Sequence, residues 1–280
     1  MSLIGAHMSI AGGLWKAIER GELLGCEAIQ IFTKNQLQWY SSPLPQHIAE
    51  RFLLVWSRSH IRKVVAHASY LINLAGDEGV RRKSIESLVQ EVKRCDQLGI
   101  DELVLHPGSH RGKGVEEGLR LLSEALRDVL VRTEETRVRI LLETMAGTGD
   151  GLGSTLEELE WVLNFMDRDP RLGVCVDTCH VFASGYELRT AFAYEKLVQK
   201  LEKMFGLERI GCWHLNDSKE GRGSKKDRHH HIGEGEIGEQ VFARIVSDPR
   251  WEDVPCILET PKENGSDVRN LTLLRKMRGS

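Results

Sequence analysis

Histidines and acids in this 280-residue sequence recur at the ends of short apolar runs: His7, His67, His106, Glu143, Asp177, His214 and Glu259 each close or adjoin one. A single imidazole or carboxylate there is ordinarily a hydrogen-bonded core residue. Seven in phase are hard to explain that way, because a charged group ending an apolar run is costly unless paired or coordinated. They read as one metal site. Two denser clusters strengthen it. DRHHH at 227–231 lies in a long polar stretch after His214, so Asp227 and His229, with His230 or His231 as a further candidate, sit beyond a strand. VDTCH sets Asp177 and His180 just after another. Such donors suit zinc, and manganese or iron are compatible with them.

Other stretches are candidates for contact with a partner. HASYLINLA carries Tyr70 and Leu71 past a strand end, where they either meet a partner or begin a helix facing the core. FTKNQLQWY at 32–40 groups Lys34, Asn35, Gln36, Gln38, Trp39 and Tyr40. Cationic, amide and aromatic groups together suit a stacked or kinked polynucleotide, against the plainer reading of a solvated loop with Trp39 folded inward. GTGDGLGST at 147–155 lacks the Lys-Ser/Thr of a phosphate loop and reads as a loop entering a helix capped by Ser154 or Thr155. No serine or cysteine nucleophile is evident. The six cysteines form no disulfide framework and read as buried free thiols, and the CxxxC of Cys175 and Cys179 is neither a zinc knuckle nor a redox pair.

The elements that must position these groups follow from periodicity. Apolar runs at 3–7, 28–33, 63–67, 102–106, 138–143, 173–177, 210–214 and 255–260 alternate with stretches of helical spacing, such as 80–98 and 115–131. Strands alternating with helices pair in parallel through right-handed crossovers, and eight such units predict a closed (β/α)8 TIM barrel forming a single domain over residues 1–280. In such a barrel the C-terminal strand ends share one face, where active sites lie. Apolar content of 41% and charged content of 28% are ordinary for a soluble domain. The net charge of -3 excludes nucleic-acid affinity by bulk charge, so any such binding needs local positive charge. The N-terminus lacks the pattern of a secretion signal and the apolar runs are far too short to span a membrane, so the expected location is cytoplasmic, with no membrane partner.

Six motifs, in order, carry a resemblance: HASYLINLA (67–75), LHPGSH (105–110), GVCVDTCH (173–180), HLNDSK (214–219), DRHHHIGEGEIG (227–238) and ILET (257–260). The chain resembles the endonuclease IV family of abasic-site endonucleases from residue 5 to residue 261. The resemblance implies a barrel holding three zinc ions, one on His67, His106 and Glu143. A second would share Glu143 and add Asp177, His214 and Glu259; a third would use His180, Asp227 and His229. Glu143, Asp177 and Glu259 are then the expected catalytic acids. The implied activity is hydrolysis of the phosphodiester 5′ to an abasic site in double-stranded DNA, leaving a 3′-hydroxyl and a 5′-deoxyribose phosphate, with trimming of blocked 3′ ends by a monomer.

Within that scheme Lys34, Asn35, Gln36, Leu37, Tyr70 and Leu71 are the expected DNA contacts, with Tyr70, Leu71 and Leu37 entering the base stack. Lys34, Arg222, Lys225 and Lys226 would meet flanking phosphates. Two positions depart from the family pattern: Leu37 stands where an arginine is common, and Thr144 in ETMAG stands where ENTAG is common. The metals should survive the second change, with altered hydrogen bonding around them. Two other readings are a metal-dependent sugar isomerase or epimerase of the same barrel type, and a non-catalytic binder of damaged DNA.

Overall fold

The computed structural model describes residues 1–263 and 265–279. Its strands are β1 (Leu3–His7), β2 (Ala28–Phe32), β3 (Lys63–His67), β4 (Glu102–Leu105), β5 (Arg139–Glu143), β6 (Leu172–Asp177), β7 (Ile210–His214), the short β8 (Asp217–Ser218) and β9 (His229–His230), and β10 (Pro255–Leu258). The helices are α1 (Trp15–Leu23), α2 (Gln46–Ser57), α3 (Glu78–Gln97), α4 (Val115–Val131), α5 (Leu156–Phe165), α6 (Thr178–Ser184), α7 (Ala191–Phe205), α8 (Glu239–Ser247) and α9 (Ser266–Arg278). Strands β1 to β7 and β10 close into a parallel barrel in the order β1-β10-β7-β6-β5-β4-β3-β2. The expected (β/α)8 fold is the observed one. β8 and β9 form a separate antiparallel ribbon above the mouth.

Strand periodicity separates two cores. Leu3, Ala28, Val65, Val104, Leu141, Cys175, Cys212 and Ile257, one from each barrel strand, pack as a ring inside the barrel. The alternate residues face the helices; Trp213, next to Cys212, packs edge-on against Trp251 at 5.2 Å. In α4 the buried Leu119, Leu122, Leu126 and Val129 recur at helical spacing and turn that stripe to the barrel. α5 starts as expected: Thr155 accepts from the Glu158 amide at 3.2 Å, and Glu158 reaches back to the Gly153 amide at 2.6 Å. Gly5 is required where β1 and β2 meet, since a Cβ there would lie 1.6 Å from the Ala28 carbonyl oxygen.

The differences from expectation are at boundaries. β2, β4 and β10 stop at Phe32, Leu105 and Leu258, short of the expected 33, 106 and 260. The ladder ends there because the mouth loops diverge, so His106 and Glu259 stand just past their strands. The helix expected from 80 begins at Glu78. The stretch after His67 is a turn rather than a helix, which leaves Tyr70 53% exposed while Ile72 is buried.

Candidate metal centre and nucleic-acid groove

Two residues beyond the interior ring, on the same inward face, come Gln30, His67, His106, Glu143, Asp177, His214 and Glu259. Strand alternation thus stacks a polar ring directly on an apolar one. Glu143 lies at its centre and is fully buried. Its Oε2 is 3.3 Å from His67 Nε2 and 3.1 Å from His106 Nε2; its Oε1 is 3.1 Å from His214 Nδ1. His214 Nδ1 is also 3.2 Å from Glu259 Oε2 and 3.9 Å from Asp177 Oδ2. A third group forms where the loop after β7 folds over the mouth: Asp227 Oδ1 is 3.3 Å from His180 Nε2 and 3.2 Å from His229 Nε2. Three sets, His67–His106–Glu143, Glu143–Asp177–His214–Glu259 and His180–Asp227–His229, each present donor atoms within 4.8 Å of one another.

The hydrogen bonds around these groups fix which nitrogen of each ring faces inward. His67 Nδ1 contacts the Ala68 carbonyl at 2.7 Å, His180 Nδ1 the Thr144 carbonyl at 2.8 Å, and His229 Nδ1 the Glu259 carbonyl at 3.2 Å. A carbonyl only accepts, so in each ring that nitrogen carries a proton, and the neutral, metal-binding form presents its lone pair at Nε2. His214 is oriented through a relay. Gln30 donates its amide to Glu259 Oε1 at 2.6 Å, which turns its carbonyl oxygen toward His214 Nε2 at 2.8 Å and leaves Nδ1 facing the cup. Such outer hydrogen bonds are what orient metal-binding imidazoles.

The donors fit cations and fit little else. His180 Nε2 and His229 Nε2 face each other 3.4 Å apart, with the Asp227 carboxylate within 3.3 Å of both. Among the described residues the ion-pair partners of Glu143, Asp177, Asp227 and Glu259 are imidazoles, with no lysine or arginine. The electrostatics agree. Burial opposes ionisation of Glu143, yet the imidazoles of His214 and His106 outweigh it and hold the carboxyl well below its usual range. Burial likewise opposes a proton on His180, but Asp177, Asp227 and Glu143 raise it well above the ordinary imidazole value. The cup draws positive charge.

The loop carrying Asp227 and His229 is built from backbone. Asp217, buried at the base of the β8–β9 ribbon, accepts from the amides of Ser218 (2.8 Å), Ile237 (2.9 Å), Gly233 (3.0 Å), Gly235 (3.1 Å) and Gly238 (3.3 Å). His230 and His231 join none of the donor sets: His230 Nδ1 accepts from the His231 amide at 2.8 Å, and His231 Nδ1 meets Asn270 Nδ2 at 3.2 Å. Of the three adjacent histidines, His229 is the one that joins His180 and Asp227, and the further candidates do not.

Beside the cup runs a groove of about 450 Å³ lined by Trp39, Tyr70, Leu71, His106, Arg111 and Met145 among others. Asn35 Oδ1 accepts from the Leu37 amide at 2.9 Å, making a turn that leaves Leu37 66% exposed at the tip. Tyr70 stands on edge against Phe32, ring centres 5.3 Å apart, and Ser69 Oγ donates to the Gln36 carbonyl at 2.7 Å, tying the two loops together. Trp39 lines that groove rather than folding into the core.

Lys34 does not reach the rim. Its ammonium is buried, 3.3 Å from Glu91 Oε1 and donating to the Gln38 carbonyl at 2.6 Å, while Glu91 also accepts from the Ser69 amide at 3.2 Å. The expected phosphate contact is a brace between loops. Arg222 pairs with Glu187 at 3.4 Å; Lys225 and Lys226 are exposed beside Asp227. Thr144 Oγ1 accepts from the Asp177 amide at 3.0 Å, so the altered residue holds the backbone of a ligand. Gln30 and Asn216 escaped the sequence reading. Asn216 Nδ2 donates to Asp177 Oδ2 at 2.7 Å and its Oδ1 accepts from the Glu259 amide at 2.9 Å. Both are neutral amides without a charge to draw notice, although Gln30 shares the inward parity of the ligands.

A sequence model of the family described as xylose isomerase-like TIM barrel matches residues 18–277. The chain is 45% identical to probable endonuclease 4 of Chloroflexus aurantiacus, covering 99% of this chain and 98% of that one. It is 45% identical to probable endonuclease 4 of Geotalea daltonii, covering 98% and 97%. Among solved structures, endonuclease IV from Thermus thermophilus superimposes with a TM-score of 0.88 at 36% identity, covering 98% of each chain. A D-tagatose 3-epimerase-like protein superimposes with a TM-score of 0.76 at 21% identity, a likeness of fold alone.

Proposed function

The chain belongs to the endonuclease IV family, a family of metal-dependent DNA repair endonucleases, and on that premise we propose that it hydrolyses the phosphodiester 5′ to abasic sites in duplex DNA using three zinc ions. The products are a 3′-hydroxyl and a 5′-deoxyribose phosphate, and blocked 3′ ends are trimmed by the same chemistry. The observation that carries the metal assignment is the facing pair of imidazole lone pairs on His180 and His229, 3.4 Å apart. As neutral rings neither can donate to the other, and a cation held between them beside the Asp227 carboxylate would take up both lone pairs.

His67, His106 and Glu143 would hold one ion, Glu143, Asp177, His214 and Glu259 a second, and His180, Asp227 and His229 a third. Bound zinc supplies Lewis acidity toward the phosphate and lowers the pKa of water toward neutrality. Glu143 directs one oxygen to His67 and His106 and the other to His214, so it would contribute to both of the first two sites. Glu259, held by Gln30 and 15% exposed at its side chain, is the acid that meets both the cup and the incoming phosphate. Without cations the four carboxylates would repel that phosphate; with three divalent ions the donors carry a net charge of about +2, a local attraction within a mildly acidic protein.

Tyr70, Leu71 and Leu37 enter the duplex, with Asn35 and Gln36 shaping the loop, and Lys225 and Lys226 meet flanking phosphates. Extrusion of a nucleotide is easiest where no base must leave the stack, which gives lesion selectivity without sequence readout. The proposal includes a monomeric, cytoplasmic enzyme associated with the nucleoid, its function carried by one domain; six free, buried cysteines suit a reducing compartment. Among the described residues no helix is long and apolar enough to cross a membrane. The deciding experiment incubates zinc-replete protein with a duplex bearing one abasic analogue and maps the cut and its end groups. Cleavage 5′ to the lesion is expected; an intact strand, or random nicking of undamaged duplex at the same rate, would overturn the reading.

A further inference from the structure

The interior ring beneath the metal cup is apolar on six strands and carries thiols on two. Leu3, Ala28, Val65, Val104, Leu141 and Ile257 fill β1 to β5 and β10, whereas Cys175 and Cys212 occupy β6 and β7. They are partners in register across those strands. Each lies two residues before a cup ligand, Asp177 and His214, so both side chains point to the same interior and lie one layer below it. The two sulfurs and a ring nitrogen of His214 lie within 4.8 Å of one another, all fully buried.

We propose that Cys175, Cys212 and His214 form a second cation site, selective for soft, thiophilic ions, that competes with the zinc cup for His214. The inference rests on the assignment of His214 to that cup. Hard-donor sites of acids and imidazoles accept zinc, manganese or iron, whereas thiolates favour soft ions. Two thiolates and a neutral imidazole around a divalent ion leave no net charge, which is the condition under which an ion is tolerated in an apolar layer. The exchange is balanced: both thiol protons leave to solvent, two metal–sulfur bonds form, and His214 passes from the zinc set to the soft ion. Nothing is oxidised. The site is a liability of the fold, through which a soft metal removes a ligand that the nuclease chemistry needs.

Cadmium(II) is the probe, added in steps to the zinc-loaded enzyme and to its Cys175→Ala and Cys212→Ala variants, each referred to its own starting activity. Three readouts are taken together: ultraviolet cadmium–thiolate charge-transfer absorption, zinc released to a chromophoric chelator, and cleavage of an abasic duplex. In the unaltered enzyme the absorption grows as zinc is released and activity falls at least about ten-fold. Both variants keep zinc and activity at that cadmium level and lack the absorption. Loss of zinc without charge-transfer absorption would mean simple exchange in the cup and would overturn the site. So would absorption that persists in both variants, which would assign it to the other cysteines, or absorption without zinc release, which would remove the competition. If Cys212→Ala does not fold, Cys175→Ala, one strand away from His214, decides alone. A purified protein that never held zinc would instead overturn the cup assignment, while the absorption would still report on the thiols.

Discussion

At the floor of the barrel, Glu102 is buried with Lys63 Nζ 2.9 Å from one oxygen and Arg139 3.4 Å from the other. At the mouth, Glu143 is also buried, yet among the described residues its ion-pair neighbours are four imidazoles and no ammonium or guanidinium. Both ends remove acids from water. The floor supplies its own counter-charge in the chain, whereas the mouth leaves that task to something that arrives. Burial of a carboxylate therefore marks function only when its partners are themselves donors in need of a cation. A buried pair with lysine or arginine closes locally.

Five outcomes put this contrast between floor and mouth at risk. Glu143→Ala should lower kcat/KM by about a thousandfold or more and release the two ions it joins; full retention of both by metal analysis would undo the contrast at its centre. Glu102→Ala should cost about 2–3 kcal/mol in denaturant unfolding, since it takes the shared carboxylate from two partly buried cations, with kcat of the folded enzyme unchanged. A drop in kcat comparable to that of Glu143→Ala would erase the distinction between the ends. Chelation should come next, lowering stability by about 3 kcal/mol for each ion supplied at a hundredfold its Kd, and Glu102→Ala should show the same decrement as the unaltered chain.

Smaller effects probe the rim and the outer floor. The double variant Tyr70→Ala, Leu71→Ala should reduce the preference for abasic over intact duplex by about ten-fold in competition binding, with metal content unchanged. Unchanged preference would remove the wedge. At the floor, burial opposes the charge on Asp248, but hydrogen bonds from Arg250 outweigh it and hold the carboxyl below its ordinary value of 3.8. A depressed folded pKa contributes stability that is fully present above the unfolded value and is lost as pH falls through the folded one. The gap between the unaltered chain and Asp248→Asn should therefore be constant above pH 3.8 and narrow below it; a gap that widens on acidification would reverse the sign.

What could be read from sequence was whatever depends on a short period. Strand alternation put His7, His67, His106, Glu143, Asp177, His214 and Glu259 in phase, and the fold followed from the repeat of strand and helix; of the seven, His7 stands 3.6 Å from Glu259 and joins none of the donor sets. Lys34 shows the limit. A cation in the polar stretch TKNQ looked solvent-facing, but its partner, Glu91, lies on α3 and no local pattern connects them. Tyr70 shows the reverse: the apolar YLI could have begun a helix, and a tertiary tie from Ser69 to Gln36 holds a turn instead. Gln30 was missed because its role is relational, set by three partners, His7, Glu259 and His214, at the ends of three other strands.

The two stacked rings, thiol-and-apolar below and donor above, are separated by two residues on every strand that supplies a ligand. Because side chains alternate strictly, deleting or inserting one residue between the rings would rotate a ligand outward among the helices and drive a helix-facing side chain inward. Length variation is thus tolerable in the loops and forbidden along those few ångströms of strand, so the spacing, more than any single residue, is what descendants of this chain have least freedom to alter.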